Sequence, residues 1–165
     1  GCEKRLHSRI LSCVVSYFPM RDGKKVGITA SAFDLCHAGH ILMLKEAKTV
    51  CDYLIVCLQG DPSLTDPSYR GKKKNQPVMS IEERHIILEG IKYVDEIVVY
   101  NSEKELYDLL VQLQPDIRII GPDWKGKPYT GHDLPIEMYF NSRDHEFSTT
   151  ELRRRIYEAE KVSRE

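Results

Sequence analysis

Strand-like and helix-like runs alternate along this chain, and that alternation restricts the fold more than any single motif. Short runs rich in Val and Ile fall at 26–29, 53–58, 97–100, 117–120 and 136–140, and stretches of helix length fall at 39–49, 81–92 and 104–114, with a last one from 149 to about 161. Parallel neighbours cannot be joined by a tight turn, so strands separated by helices read as a parallel sheet with crossovers. The expected fold class is α/β, a Rossmann-like open parallel sheet with helices on both faces. At 165 residues the chain suits one domain with a core of its own. Such sheets bind ligands beyond the carboxyl ends of their strands, where the strand order reverses. The first strand ends at a turn holding two histidines, and the fourth ends at GPDWKGK, 121–127, so these segments are expected to face one pocket.

The first of those turns reads SAFDLCHAGH and puts His37 and His40 where strand becomes helix. A helix N-terminus carries free N–H groups and the positive end of the helix dipole, so it favours an anion. The two imidazoles add side-chain donors, and Gly39 between them lets a ligand approach the backbone. The pair reads as a phosphate clamp. Two other readings exist for it: a metal pair, which lacks the acidic residue and spacing of a zinc helix, and plain surface histidines. A thiol nucleophile at Cys36 has no activating partner in the sequence, and a buried free thiol is the simpler reading.

A second anion site is suggested by FSTTELRRRI, where Ser148 at the N-cap and Glu151 three residues on have the spacing of a capping box. Arg143, Thr149 and Thr150 offer further donors of the kind phosphates use. The segment 59–80 is long for a compact domain and holds three prolines and the lysine run 72–74. Opposite a phosphate clamp, a cationic loop can close on a polyphosphate.

Composition excludes several classes. With 24 basic against 25 acidic side chains, a globally basic surface for nucleic acid gains no support. Apolar runs stop well short of the roughly 20 residues a membrane span needs. Five cysteines without CxxC spacing suggest neither a disulfide framework nor a zinc site. The chain is therefore expected to be cytoplasmic, with no nucleic-acid or membrane partner. GxGxxG and GxxxxGK[ST] are both missing from the sequence, so the histidine turn stands in for the usual phosphate loops.

Together these segments resemble the cytidylyltransferase family of nucleotidyltransferases, with the pattern nearest that of the glycerol-3-phosphate cytidylyltransferases. The family's GTFDxxHxGH is matched by SAFDLCHAGH, its RTEGISTT by RDHEFSTT at 143–150, and its GDDWEGK by GPDWKGK, while EERHIILEGIKYVDEIV looks like its ExR helix and YVDE strand entry. The resemblance implies a nucleotidyltransferase domain over 25–165 behind an N-terminal extension, 1–24, and usually a homodimer. It implies transfer of CMP from CTP to a small, glycerol 3-phosphate-like phosphate ester with release of pyrophosphate, Mg2+ accompanying the triphosphate and no protein cage for a metal. By the same resemblance His37, His40, Lys74 and Arg143 are the catalytic set. Ala32, Phe33, Asp34, Gly39, Asp123, Trp124, Ser148, Thr149 and Thr150 would bind the nucleotide, and Lys73 and Arg84 the acceptor. Departures cluster around the acceptor pocket: Ser31 and Ala32 replace Gly and Thr, Pro122 replaces an acid, and Asp144, His145 and Glu146 replace TEG. The alternatives are an adenylyltransferase using ATP on a sugar phosphate or cofactor precursor, and a nucleotide-binding domain without turnover. Arg143 favours CTP, because the heptose-type adenylyl enzymes lack it in the second signature.

Overall fold

A computed structural model describes residues 23–65 and 75–165. Strands β1 (Val26–Ser31), β2 (Tyr53–Gln59), β3 (Glu96–Tyr100), β4 (Ile117–Ile120) and β5 (Glu137–Phe140) form a single sheet in the order β3-β2-β1-β4-β5, and every neighbouring pair is parallel. The helices are α1 (Ala38–Ala47), α2 (Pro62–Thr65), α3 (Ile81–Glu89), α4 (Glu103–Leu113) and α5 (Thr149–Ser163), with a 3-10 turn at Pro122–Trp124. This is the Rossmann-like α/β sheet that the alternation implied.

The strand YLIVCLQ is buried from Leu54 onward because both of its faces are covered. On one face Val26, Ile28, Ile55, Cys57 and Val98 pack with Leu106, Leu110 and Leu113 of α4. On the other, Leu54, Val56, Leu58, Ile117 and Ile119 pack with Leu44 and Ala47 of α1 and Leu88 of α3. Each such Leu or Ile contributes about 2 kcal/mol of transfer free energy on burial.

Two departures from the sequence reading go beyond a residue or two at the ends of elements. The helix expected to run to 92 stops at Glu89, where Gly90 serves as C-cap: its N–H donates to the carbonyl of Ile87, and the N–H of Ile91 to that of Leu88. Within the long segment after β2, the short helix α2 was not anticipated; Asp61 opens it by accepting from the Ser63 N–H and hydroxyl. Of the extension at 1–24, only Gly23 and Lys24 fall among the described residues. No described helix is long and apolar enough to cross a membrane.

The sheet opens where its order reverses. β1 pairs with β2 along all six of its residues, but with β4 only at Gly27↔Ile117 and Ile28↔Arg118. Beyond Ile28 the two central strands are no longer paired, and this leaves a crevice at their carboxyl ends, the place where parallel sheets bind ligands.

Candidate active site

His37 is the N-cap of α1, and its imidazole does the work usually done by a serine or aspartate. Its Nδ1 accepts from the Gly39 N–H at 3.0 Å, and the Nδ1 of His40 accepts from the His37 N–H at 3.1 Å. The result is a capping box built from two imidazoles. A ring nitrogen that accepts an N–H carries no proton, so each neutral ring holds its proton on Nε2. Burial pushes His40 down to about 4, helped by the neighbouring His37. His37 is lowered too, by burial and then by His145. Both rings are thus neutral donors at pH 7, tilted 35° to each other with centroids 4.0 Å apart. Phe33, 1% exposed, packs against His40 with ring centroids 5.3 Å apart.

The N-terminus of α5 meets this turn. His37 Nε2 lies 3.2 Å from Thr149 Oγ1, and with the tautomer set by Gly39 it is the donor. The Thr149 hydroxyl in turn donates to the Asp34 carbonyl at 3.5 Å. Two helix N-termini therefore converge on one place, and both dipoles favour negative charge there. A cavity of about 250 Å3 opens on it, lined by Ser31, Ala32, Phe33, Asp34, His40, Thr149, Thr150 and Arg153 among others. Ser148 caps α5 as expected, accepting from the Glu151 N–H at 3.0 Å. The reciprocal half of that capping box is not formed: the Glu151 carboxylate instead takes two hydrogen bonds from Arg154, one helical turn on.

Other expected site residues have structural tasks. The Asp34 carboxylate accepts the N–H groups of Val78 and Met79, both at 2.9 Å, and so fastens the entrance of α3 to the histidine turn. Phe33 and Leu35 on either side of it have φ of 51° and 49°, a conformation rarely taken by residues with side chains and one that concentrates at functional turns. Arg84, 3% exposed, donates to the carbonyls of Met79, Ala32, Gln59 and Gly60. These bonds tie the ends of β1 and β2 to α3 and leave one of its five N–H groups for the acceptor phosphate that the resemblance assigned to it. Arg143 and Asp123 form an ion pair at 2.9 Å at the exit of β4. Trp124 lines a second cavity, and Ser31 borders both. The expectation of one pocket facing both turns becomes two adjoining ones. Lys73 and Lys74 lie outside the described residues.

The space over Gly39 is filled by protein. A methyl group placed there would lie 2.9 Å from Cε1 of His37 and 2.9 Å from Cε1 of His145, so the glycine admits two rings where a ligand was expected. His145, noted in the sequence only as a departure, is thus a third imidazole at the clamp. Its Nδ1 accepts from the Phe147 N–H at 3.2 Å, the arrangement seen at His37 and His40. Arg153 was likewise missed within ELRRRI, although its place one turn into a helix that opens on an anion site was a usable signal. Burial raises the thiols of Cys36, Cys51 and Cys57, which removes support for a thiol nucleophile.

Residues 28–155 match the cytidylyltransferase-like family. The chain is 38% identical over 116 residues to the bifunctional protein HldE of Wolinella succinogenes, covering 70% of this chain and 23% of that one. It spans less than a third of the length of such bifunctional relatives, reaching 31% of the one from Campylobacter curvus. To the glycerol-3-phosphate cytidylyltransferase of Bacillus subtilis it is 34% identical over 133 residues, which is 81% of this chain and 97% of that one. Among solved structures, a lipopolysaccharide core biosynthesis protein from Thermoplasma volcanium superposes with a TM-score of 0.59 at 23% identity, covering 74% of this chain and all of that one.

Proposed function

The chain belongs to the cytidylyltransferase-like family; we propose that it is a nucleotidyltransferase that transfers a cytidylyl group from CTP to the phosphate of a small ester and releases pyrophosphate. The observation that carries this reading is the pair of imidazoles whose Nδ1 atoms accept backbone N–H groups, so that both Nε2–H groups are fixed in advance as neutral donors.

In this reaction an oxygen of the acceptor phosphate forms a bond to the α-phosphorus, and the bond from that phosphorus to the bridging oxygen of the pyrophosphate breaks. The attacking oxygen is already anionic, so no strong base is required. Catalysis consists of bringing two mutually repelling anions into line and neutralising the charge that develops. His40 donates from Nε2 to the α-phosphate, and His37 shares its proton between Thr149 and the bridging region. The N-terminus of α5, with Ser148, Thr149, Thr150 and Arg153, holds the outer phosphates. Donors that need no reorientation are commonly worth about 3 kcal/mol each at the transition state. Lys73 and Lys74 complete the charge balance from the loop, and Asp123, Trp124 and Arg143 sit on the nucleoside side.

Magnesium would accompany the triphosphate and would supply charge neutralisation at the phosphates held by His37, His40 and the N-terminus of α5. The Asp34 carboxylate beside the histidine turn is engaged by the backbone N–H groups of Val78 and Met79. A homodimer is part of the same proposal, and sedimentation measures it.

The test is pyrophosphate release with magnesium, offering CTP, ATP, GTP and UTP in turn against a panel of small phosphate esters. Release with CTP supports the proposal. Release with ATP alone moves the assignment to the adenylyl reading, and tight nucleotide binding without release to a binding domain.

A further inference from the structure

His145 stands on the segment between β5 and α5 and is half-buried, whereas Arg143, Asp144 and Glu146 around it are exposed. Its ring is fixed from its own segment: Nδ1 accepts the Phe147 N–H at 3.2 Å, and the imidazole stacks on Phe147 with centroids 5.3 Å apart and planes 28° from parallel. The fixed ring then meets the first turn of α1. The place a methyl would take on Gly39 is 2.9 Å from Cε1 of His145 and 2.9 Å from Cε1 of His37, so the two carbons lie within twice that distance of each other across the glycine. His37 therefore has imidazole neighbours from two elements, His40 in its own helix with centroids 4.0 Å away and His145 from the approach to α5. In the signature that this segment resembles, a glutamate stands where this chain has His145.

Charge at this place decides what His37 can do. The cap needs an unprotonated Nδ1 to accept the Gly39 N–H, and a ring that gains a second proton has no acceptor left, so protonation breaks the bond that seats it. A carboxylate within about 4–6 Å of an imidazole favours the protonated form, by roughly one pH unit or more. It would also compete with the phosphates for the Nε2 proton. A second imidazole acts the other way: uncharged it attracts no proton to its neighbour, and charged it repels one, which is the direction in which His145 already moves His37, after burial. The other titratable or charged groups around the turn leave this balance in place. His40 on the same helix is itself lowered, and the Cys36 thiol next in the chain is raised and so uncharged at pH 7. Asp34 is held by the N–H groups of Val78 and Met79, with Arg153 of α5 4.0 Å away, and Asp144 and Glu146 beside His145 are exposed.

We propose that His145 is a positioning residue for the transfer: packed over Gly39 against His37, it keeps that ring seated on the helix cap as an uncharged Nε2 donor, a state that a carboxylate in the same place would undo. Its effect on the reaction rests on the transfer reading above; its effect on the protonation of His37 does not.

The full chain is compared as wild type, His145→Glu and His145→Gln, with circular dichroism as the check of folding. Two quantities are read: the titration midpoint of His37 without nucleotide, from nitrogen-15 NMR of the histidine rings and assigned by its loss in His37→Gln, and the acid limb of kcat/KM for pyrophosphate release, which reports groups of the free enzyme. In His145→Glu both should move up by about one pH unit, so that kcat/KM falls about tenfold on the acid limb and less above it. In His145→Gln, which carries no charge but also removes the repulsion, both should move up by about half as much. A His37 midpoint that moves by less than about 0.3 unit in a folded His145→Glu overturns the proposal. So does a loss of activity of equal size at every pH, because a residue that only packs changes rate or stability without moving the limb. Should His145→Glu not fold, an unmoved or lowered midpoint in His145→Gln overturns it alone. A wild type that releases no pyrophosphate from any nucleotide removes the transfer reading, and the His37 midpoints then decide the claim about its protonation by themselves.

Discussion

Replacing Gly39 by alanine separates the site's geometry from its stability. The new methyl would lie 2.9 Å from Cε1 of His37, 3.0 Å from its Nδ1, and 2.9 Å from Cε1 of His145. Carbon atoms in contact sit at about 3.5–4.0 Å, so each ring has to retreat by roughly 0.6–1 Å. His37 cannot do so without loss, because its Nδ1 is 3.0 Å from the Gly39 nitrogen and a retreat of that size carries it to about 3.6 Å, past hydrogen-bond range. The proton is then no longer confined to Nε2, and the ring leaves the position from which it faces Thr149. A misplacement of about 1 Å near the reacting atoms is worth roughly 100-fold in rate, and that is the fall in kcat expected here. Stability moves little. Alanine gains at most about 1 kcal/mol in helix propensity, less in a first turn, while the lost cap bond costs about 1 kcal/mol. Pyrophosphate-release kinetics at saturating nucleotide, with urea unfolding in parallel, measure both quantities. A folded Gly39→Ala enzyme turning over within about threefold of wild type, under 1 kcal/mol of barrier, would refute the claim that the imidazole geometry sets the rate.

Three further outcomes follow from the same structure. His40 titrates near 6.5 when unfolded and at about 4 when folded, so the unfolded chain binds more protons between those values; stability is complete above about pH 6.5 and declines by up to roughly 3 kcal/mol as pH falls towards 4. Urea melts across that range should show a slope that His40→Gln flattens. Arg84→Met leaves four carbonyl oxygens without their donor and should cost about 3 kcal/mol or more, whereas a loss below about 1 kcal/mol would contradict the stapling role. Thr149→Val removes the acceptor for the His37 Nε2 proton and should lower kcat/KM about tenfold with stability held within about 1 kcal/mol. Unchanged kinetics in that variant would detach α5 from the clamp.

What could be read in the sequence follows from how each feature is encoded. Strands such as 117–120 and helices such as 149–163 are local: β-branched runs, N-capping serines and apolar spacing announce them within a few residues. The histidine turn was also legible, since a short motif between strand and helix carries its own geometry. Residues whose meaning depends on distant partners were not. Arg84 was assigned to a ligand, yet most of its donors meet carbonyls from Ala32, Gln59, Gly60 and Met79, three of them brought together only by the fold. Gly39 was read as room for a ligand, because nothing in HAGH says that His145, more than a hundred residues later, lies over it. The Glu151 carboxylate had the spacing of a capping box, but Arg154 one turn on competed for it and won.

Central to all of this is the claim that both imidazoles are neutral and protonated on Nε2 before any nucleotide arrives. Nitrogen-15 NMR of the histidine rings at pH 7 tests it most directly, because protonated and unprotonated ring nitrogens have well-separated shifts. His37 and His40 should each show a protonated Nε2 and a bare Nδ1, and both Nε2 signals should move when magnesium and CTP are added. A proton on Nδ1 of either ring, or Nε2 signals indifferent to the nucleotide, would contradict the phosphate clamp as described.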